Sequence, residues 1–360
     1  MSFMRRVLHW INPSGHSGAH EPDHSPAARN PSPLYLGPSV QRTLHFEGGD
    51  PLRAAVLGVP ALDSFADIAS LLGLEERRLV WLCYQPLHPG VDHYHRFQIP
   101  KRSGEMRSIS APKADLRAAQ QVILREILTK VPVHDTATAF RPGASIVDNA
   151  RKHTGRAIVI RLDIADFFPT ITRKRVKGMF QSLGYNEGVA TVLALLTTDA
   201  NCLPQGACTS PAISNIICNR LDARFNGLSR KHGFTYTRYA DDMTFSHPAS
   251  DAPVGRLVSS AVHILIEEGF SPKPAKSRIT RAHQRQIVTG LVVNDGVAIP
   301  RADLRRFRAI LHSAERDGFE QASQTLGQDV REYARGYLAF IQMVEPEKAA
   351  RFRERYEWLR

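Results

Sequence analysis

An α+β fold, an antiparallel sheet carried by helices, is predicted from three features of the 360-residue sequence. Ala157 to Asp163 is an apolar run that ends in a carboxylate, the pattern of a buried strand. Phe234 to Tyr239 and Met243 to Ser246 are β-rich runs on either side of Ala240-Asp241-Asp242, which places two acids at a hairpin tip. Most of the remaining chain has helical periodicity.

Along the chain, residues 12 to about 50 are rich in Pro, Gly, Ser and His and read as a flexible or loosely docked extension. His16, His20 and His24 recur every fourth residue there, but the Pro and Gly between them disfavour the helix that would align them on a metal. Apolar positions from Leu62 to Leu82 fit one or two amphipathic helices. His93 to Pro112 reads as two short strands joined at Ser103-Gly104, followed by a helix from Asp115 to about Lys130.

Beyond the strand ending at Asp163, a helical stretch runs from Arg173 to Leu196, Pro204-Gln205-Gly206 makes a turn, and a helix covers Ser210 to Arg230. After the acidic hairpin come a helix from Val254 to Gly269 and short strands around Arg285–Val293 and Val297–Pro300. The last 60 or so residues are helical, with Arg301, Arg305, Arg306 and Arg308 at their start. The expected division is an extension over 1–50, a main domain over 51–295 and a small helical unit over 296–360.

Lys and Arg number 47 against 35 Asp and Glu, a net charge of +12 that favours an anionic partner such as nucleic acid. Residues 93–160 alone hold 12 basic residues against five acids. Cys83, Cys202, Cys208 and Cys218 form no CxxC pair and have no zinc-like spacing, which fits a reducing cytoplasm. The opening MSFMRRVLHWINPSGH has too short an apolar run for a signal peptide, and no stretch reaches the roughly 18 apolar residues of a membrane span.

Asp163, Asp241 and Asp242 can converge only if their strands lie side by side in one sheet. Burying such acids uncompensated would cost several kcal/mol. A divalent cation is the natural compensation, and Mg²⁺ favours a few carboxylates together with phosphate and water. A pair of such ions can activate a hydroxyl and neutralise a leaving pyrophosphate.

In order along the chain, IPKRSGEMRSISAP, AFRPGASIVDNA, RLDIADFFPTI, LPQGACTSPAISN, RYADDMTFS and SPKPAKSRI resemble the motifs of reverse transcriptases, from about residue 95 to 295. The resemblance implies a right-hand polymerase fold with fingers, palm and a small helical thumb, and RNA-directed DNA polymerase activity. It makes Asp163, Asp241 and Asp242 the metal ligands, helped by the Ile164 carbonyl, for two Mg²⁺ ions with Mn²⁺ as the alternative. Phe168 falls where the family sets an aromatic ring against the sugar of the incoming deoxynucleotide, although one of Phe167 and Phe168 belongs to the core. Lys101 and Arg107 match residues that grip the triphosphate, a task suited to an ammonium and a guanidinium. Gln205 and Gly206 match residues at the nucleotide and template. Lys276 matches a lysine near the pyrophosphate, with Lys273 an alternative.

Asn149-Ala150-Arg151-Lys152-His153 and Val288-Thr289-Gly290 fit the NAxxH and VTG signatures of retron reverse transcriptases. That narrower resemblance implies a cognate structured noncoding RNA as partner, contacted by Asn149 and His153 and by Arg301, Arg305, Arg306 and Arg308 of the thumb. It implies branched RNA-linked single-stranded DNA (msDNA) primed from a guanosine 2′-hydroxyl, a separate effector protein, and antiphage defence in the bacterial cytoplasm. Tyr333, Tyr337 and Phe340 read as thumb core more readily than as base-stacking residues. Two other readings compete: another defence-associated or group II intron-like reverse transcriptase, and a catalytically silent RNA-binding scaffold.

Overall fold

Residues 44–83, 92–100 and 104–359 are described by a computed structural model. The histidines of the extension lie outside them, as do Lys101 and Arg102 at the predicted hairpin turn. Residues 44–50 are tied to the body, the Gly188 N–H donating to the His45 carbonyl and the Asp50 N–H to Gly184.

The apolar period over Leu62–Leu82 resolves into two helices, Phe65–Leu72 and Glu76–Cys83. Ser64 starts the first through a capping box, its hydroxyl accepting from the Asp67 N–H while the Asp67 carboxylate accepts from the Ser64 N–H. Strands β1 (Tyr94–Pro100) and β2 (Met106–Pro112) then pair as an antiparallel hairpin, in register from Tyr94↔Pro112 to Pro100↔Met106.

Four strands make the central sheet: β3 (Ile158–Asp163), β4 (Thr235–Tyr239), β5 (Asp242–His247) and β6 (Arg278–Arg281). Their order is β4-β5-β3-β6, with every neighbouring pair antiparallel. The edge strand β6 lies in a segment with no predicted strand, because it is short and partly exposed and so carries no apolar alternation. Two predicted long helices are broken. Arg173–Leu196 becomes Arg173–Ser182 and Glu187–Thr197, where the Asn186 side chain caps the second helix by accepting from the Val189 N–H. Ser210–Arg230 becomes Ser210–Ile217 and Asn219–Lys231, parted at Cys218.

Alternation along β3 assigns its side chains to two cores. Ile158, Ile160 and Leu162 join the larger cluster with Phe180, Phe225 and Leu257. Val159 faces the other way, into a second cluster with Val147, Ala150, Val288, Leu291, Phe307 and Leu338. On that second face, Arg161 and Asp163 follow Val159 out from under its packing, as the two-residue period of a strand requires. Both faces near the start of β3 are thus buried, which is why its sequence reads as a continuous apolar run.

The two short signatures meet in this second cluster. β7 (Ile287–Val288) and β8 (Leu291–Val292) form a hairpin whose two turn residues, Thr289 and Gly290, both have positive φ, as a tight two-residue loop demands. The Thr289 hydroxyl donates to the Ile146 carbonyl of helix Ile146–Arg151. The C-terminal helices Arg301–Asp317, Phe319–Leu326, Val330–Val344 and Pro346–Arg355 complete the unit. Tyr337 packs against Phe307 at 4.7 Å between ring centroids, and Tyr333 and Phe340 flank it, so these rings contribute to packing. No described helix is long and apolar enough to cross a membrane.

Candidate active site

Register brings the acids together. Asp163, the last residue of β3, pairs directly with Asp242, the first of β5, and their side chains share one face. Asp241 occupies the β4–β5 turn, whose backbone is locked to β3 by the Ile164 N–H donating to the Asp241 carbonyl at 3.0 Å. Ala240 enters this turn with φ +56°, a left-handed conformation uncommon for a residue with a Cβ. A cleft of about 320 Å³ opens here, lined by Asp163, Asp241, Ile164 and Phe168, with Arg107 and Gln205 from its other side.

Asp163 is 7% exposed. Burial raises its carboxyl to about 6; the charge of Asp241 pushes in the same direction, and Lys276 opposes both. The Lys276 ammonium stands 3.2 Å from Asp163 Oδ2. Asp163 Oδ1 is buried without a hydrogen-bond partner. An orphaned carboxylate oxygen beside a second acid is what a hard divalent cation would satisfy, so these residues fit a metal ion. Among the described residues no three acidic, His or Cys side chains are already gathered as a metal cage. Asp242, expected as a third ligand, is held by Arg161, whose Nε lies 3.3 Å from its Oδ1.

The other expected residues divide by position. Phe167 is buried and stacks on Phe270 at 5.9 Å while Phe168 is half-buried, and both rings line the cleft. Lys273 and Lys276 both line the cleft, but Lys273 reaches Asp163 through its backbone, its N–H donating to the Asp163 carbonyl, while Lys276 reaches it through its ammonium. Arg107 is exposed on β2 and points into the cleft lining. Gly206 has φ +126°, and a Cβ there would lie 2.8 Å from Ile109 Cγ2, so the close approach it permits is to β2. The Ser110 N–H donates to the Gln205 carbonyl across this contact. Lys101 lies outside the described residues.

Asn149 and His153 are turned inward instead of toward an RNA surface. His153 is fully buried, with Nδ1 2.7 Å from Ser246 Oγ and Nε2 2.7 Å from Thr237 Oγ1, and desolvation lowers it to about 3. Asn149 accepts from the Thr138 hydroxyl at 3.0 Å. These side chains tie helix Ile146–Arg151 to the sheet and its flanking segment, so a histidine that sequence places at a surface is drawn into the core by two β-strand hydroxyls. Arg301, Arg305, Arg306 and Arg308 all lie exposed on one helix, away from buried Leu304, Phe307 and Leu311.

Sequence reasoning passed over Arg161 and Arg238. Each is a charged residue inside an apolar or β-rich strand, and that interruption was the available signal. Arg238 is fully buried with Asp222, donating to it through Nε at 2.9 Å and Nη2 at 2.7 Å, and also to the Ala240 carbonyl at 3.1 Å.

Acids at the end of an antiparallel sheet, with Arg107 of the β1–β2 hairpin in the same cleft, make an arrangement suited to nucleotide phosphates and a metal ion. Residues 99–293 match the family described as reverse transcriptase (RNA-dependent DNA polymerase). The chain is 37% identical over 333 residues to the retron Mx162 reverse transcriptase of Myxococcus xanthus, covering 83% of this chain and 68% of that protein. It is 33% identical over 304 residues to the retron Ec86 reverse transcriptase of Escherichia coli, covering 83% of this chain and 90% of that one. The chain belongs to the reverse transcriptase family, in its retron branch. Its activity is RNA-directed DNA polymerisation, its fold is the right-hand polymerase fold, and the family's chemistry depends on a divalent metal.

Proposed function

We propose that this reverse transcriptase copies part of a cognate structured noncoding RNA into msDNA, starting from a guanosine 2′-hydroxyl. The supporting observation is that Asp163 and Asp241 line one cleft, with Asp163 Oδ1 left unpartnered and Asp242 opposite Asp163 in the sheet. Asp163 and Asp241, with the Ile164 carbonyl, would hold Mg²⁺, and Asp242 would support them from its pair with Arg161. The chemistry a bound pair of such ions would supply is activation of the attacking hydroxyl and neutralisation of the departing pyrophosphate. Arg107 and Lys101 grip the triphosphate, Phe168 lies against the deoxyribose, and Gln205 lines the nucleotide's path. Lys276 supplies a positive charge, and a proton, at the pyrophosphate side of the cleft.

Residues 51–295 form N-terminal helices, fingers and palm in this reading, 296–360 the thumb, and 1–50 an extension. Arg301, Arg305, Arg306 and Arg308 contact the phosphates of RNA stems, which A-form RNA offers in place of readable base edges. Asn149 and His153 act on the RNA through the placement of helix Ile146–Arg151. The biological setting proposed is antiphage defence in the bacterial cytoplasm with a separate effector protein.

Sequencing the nucleic acid that copurifies with the protein tests the reading. A short DNA of fixed sequence joined 2′–5′ to RNA is the expected product. Only 3′-primed copies of varied RNAs would instead place the chain with other defence-associated or intron-like enzymes. No primer extension at any Mg²⁺ or Mn²⁺ concentration would leave a silent scaffold.

A further inference from the structure

Phe140 is a large apolar residue that is 46% exposed, and it lines the same cleft as Asp241, Phe168 and Arg107. Its backbone has φ +59°, a conformation that bulky L-residues rarely adopt. Exposure of a ring and a disfavoured backbone are both unfavourable for folding alone, and such combinations persist where the surroundings enforce them.

The surroundings do enforce them. The segment before Phe140 is strapped to β4: the Arg238 N–H donates to the Thr136 carbonyl, and the Thr138 N–H to the Arg238 carbonyl, each at 2.8 Å. The Asn215 amide donates to the Ala139 carbonyl at 2.9 Å, and the Asn215 Oδ1 accepts from Arg238 Nη2 at 3.1 Å. Arg238 also holds the Ala240 carbonyl, next to Asp241. One buried guanidinium therefore fixes both the peptide before a catalytic acid and, through Asn215, the peptide before Phe140.

We infer that Phe140 is a nucleobase-stacking residue of the polymerase site, its ring held by the Arg238–Asn215 clamp at a set position relative to Asp241. The chemistry it recognises is the flat face of a base, offered by either the incoming deoxynucleotide or the template–primer end. A ring that stacks without hydrogen bonding is tolerant of base identity, as a polymerase that copies varied sequence requires.

Single-nucleotide incorporation by the full chain, with melting temperature measured in parallel, tests this. Phe140→Ala and Phe140→Leu are expected to weaken binding by ~10-fold or more, as removal of a base-stacking ring does, with kcat and melting temperature little changed. Phe140→Tyr and Phe140→Trp are expected to stay within a few-fold of the parent. A rise confined to the KM for the deoxynucleotide assigns the stack to the incoming base, and a rise confined to the template–primer Kd assigns it to the duplex end. Parent-like constants for Phe140→Ala, or a Leu variant as good as Tyr, would overturn the inference. A parent enzyme that incorporates nothing would instead count against the polymerase site itself.

Discussion

The Lys276 ammonium lies 3.2 Å from Asp163 Oδ2 and is the positive charge that opposes the rise of this buried carboxyl. It stands where part of a divalent ion's charge would act, so lysine and metal compete for the same carboxylate. Lys276→Met should therefore lower the Mn²⁺ concentration needed for half-maximal binding by ~3-fold or more, since each ~1.4 kcal/mol of relieved repulsion is worth tenfold. Turnover should fall in the same variant if the ammonium serves the pyrophosphate. Calorimetric Mn²⁺ titration of the nucleic-acid-free protein reads the first effect, and an unchanged affinity would remove Lys276 from the metal's surroundings.

Arg161 commits Asp242, and this separates the two acids of the hairpin. Asp241→Asn should reduce incorporation by at least ~100-fold, the scale of several kcal/mol of lost charge stabilisation at a metal-dependent centre. Asp242→Asn should lose less, and Arg161→Met should resemble it, because each breaks the same pair. Steady-state primer extension compares the three. Equal losses for Asp241→Asn and Asp242→Asn would mean that Asp242 leaves Arg161 when the site is loaded.

His153 makes the fold sensitive to acid. Its folded-state value, lowered to about 3, lies below the unfolded value of 6.5, so between these pH values the unfolded chain carries the extra proton. Stability is fully present above 6.5 and is lost as pH falls toward 3. The expected contribution of this residue at pH 5 is a loss of about 2 kcal/mol relative to neutral pH. Denaturant midpoints at pH 7 and pH 5 measure it. His153→Gln should be less stable at pH 7 yet show a flatter dependence, and an undiminished slope in that variant would assign the acid sensitivity elsewhere.

Gly206 brings its turn into close approach with β2 of the hairpin. In Gly206→Ala the Cβ would meet Ile109 Cγ2 at 2.8 Å and the Ser110 carbonyl oxygen at 3.0 Å, from a backbone at φ +126°. The backbone strain alone is about 1–3 kcal/mol, and relief requires the turn to move off β2. The expected result is a lower melting temperature together with a raised KM for the deoxynucleotide, since Gln205 and Arg107 sit on the two sides of that contact. A parent-like KM in Gly206→Ala would show that the contact does not set the cleft.

Much of the architecture could be read from the chain because the informative patterns are local. The apolar run into Asp163 specified a strand buried on both faces, and the alternation around Ala240-Asp241-Asp242 specified a hairpin with acids at its tip. The break before Asn186 had a signal, Gly184 followed by an Asn cap, that was outweighed by the apolar periodicity running through it, whereas Cys218 marks its break with none. The edge strand Arg278–Arg281 was missed for the opposite reason, having too little burial to impose a pattern.

By itself, the sequence determined which acids stand at strand ends, the order of the motifs around them and the family to which that order belongs. Tertiary structure decided what each side chain does there. It buried Phe167 more deeply than Phe168 at the cleft, chose the ammonium of Lys276 over that of Lys273 for the Asp163 carboxylate, drew His153 beneath the sheet and gave Asp242 to Arg161. Strand and helix signals depend on near neighbours in the chain, whereas a side chain's partner depends on register and on packing between segments up to a hundred or more residues apart, as Lys276 and Asp163 are.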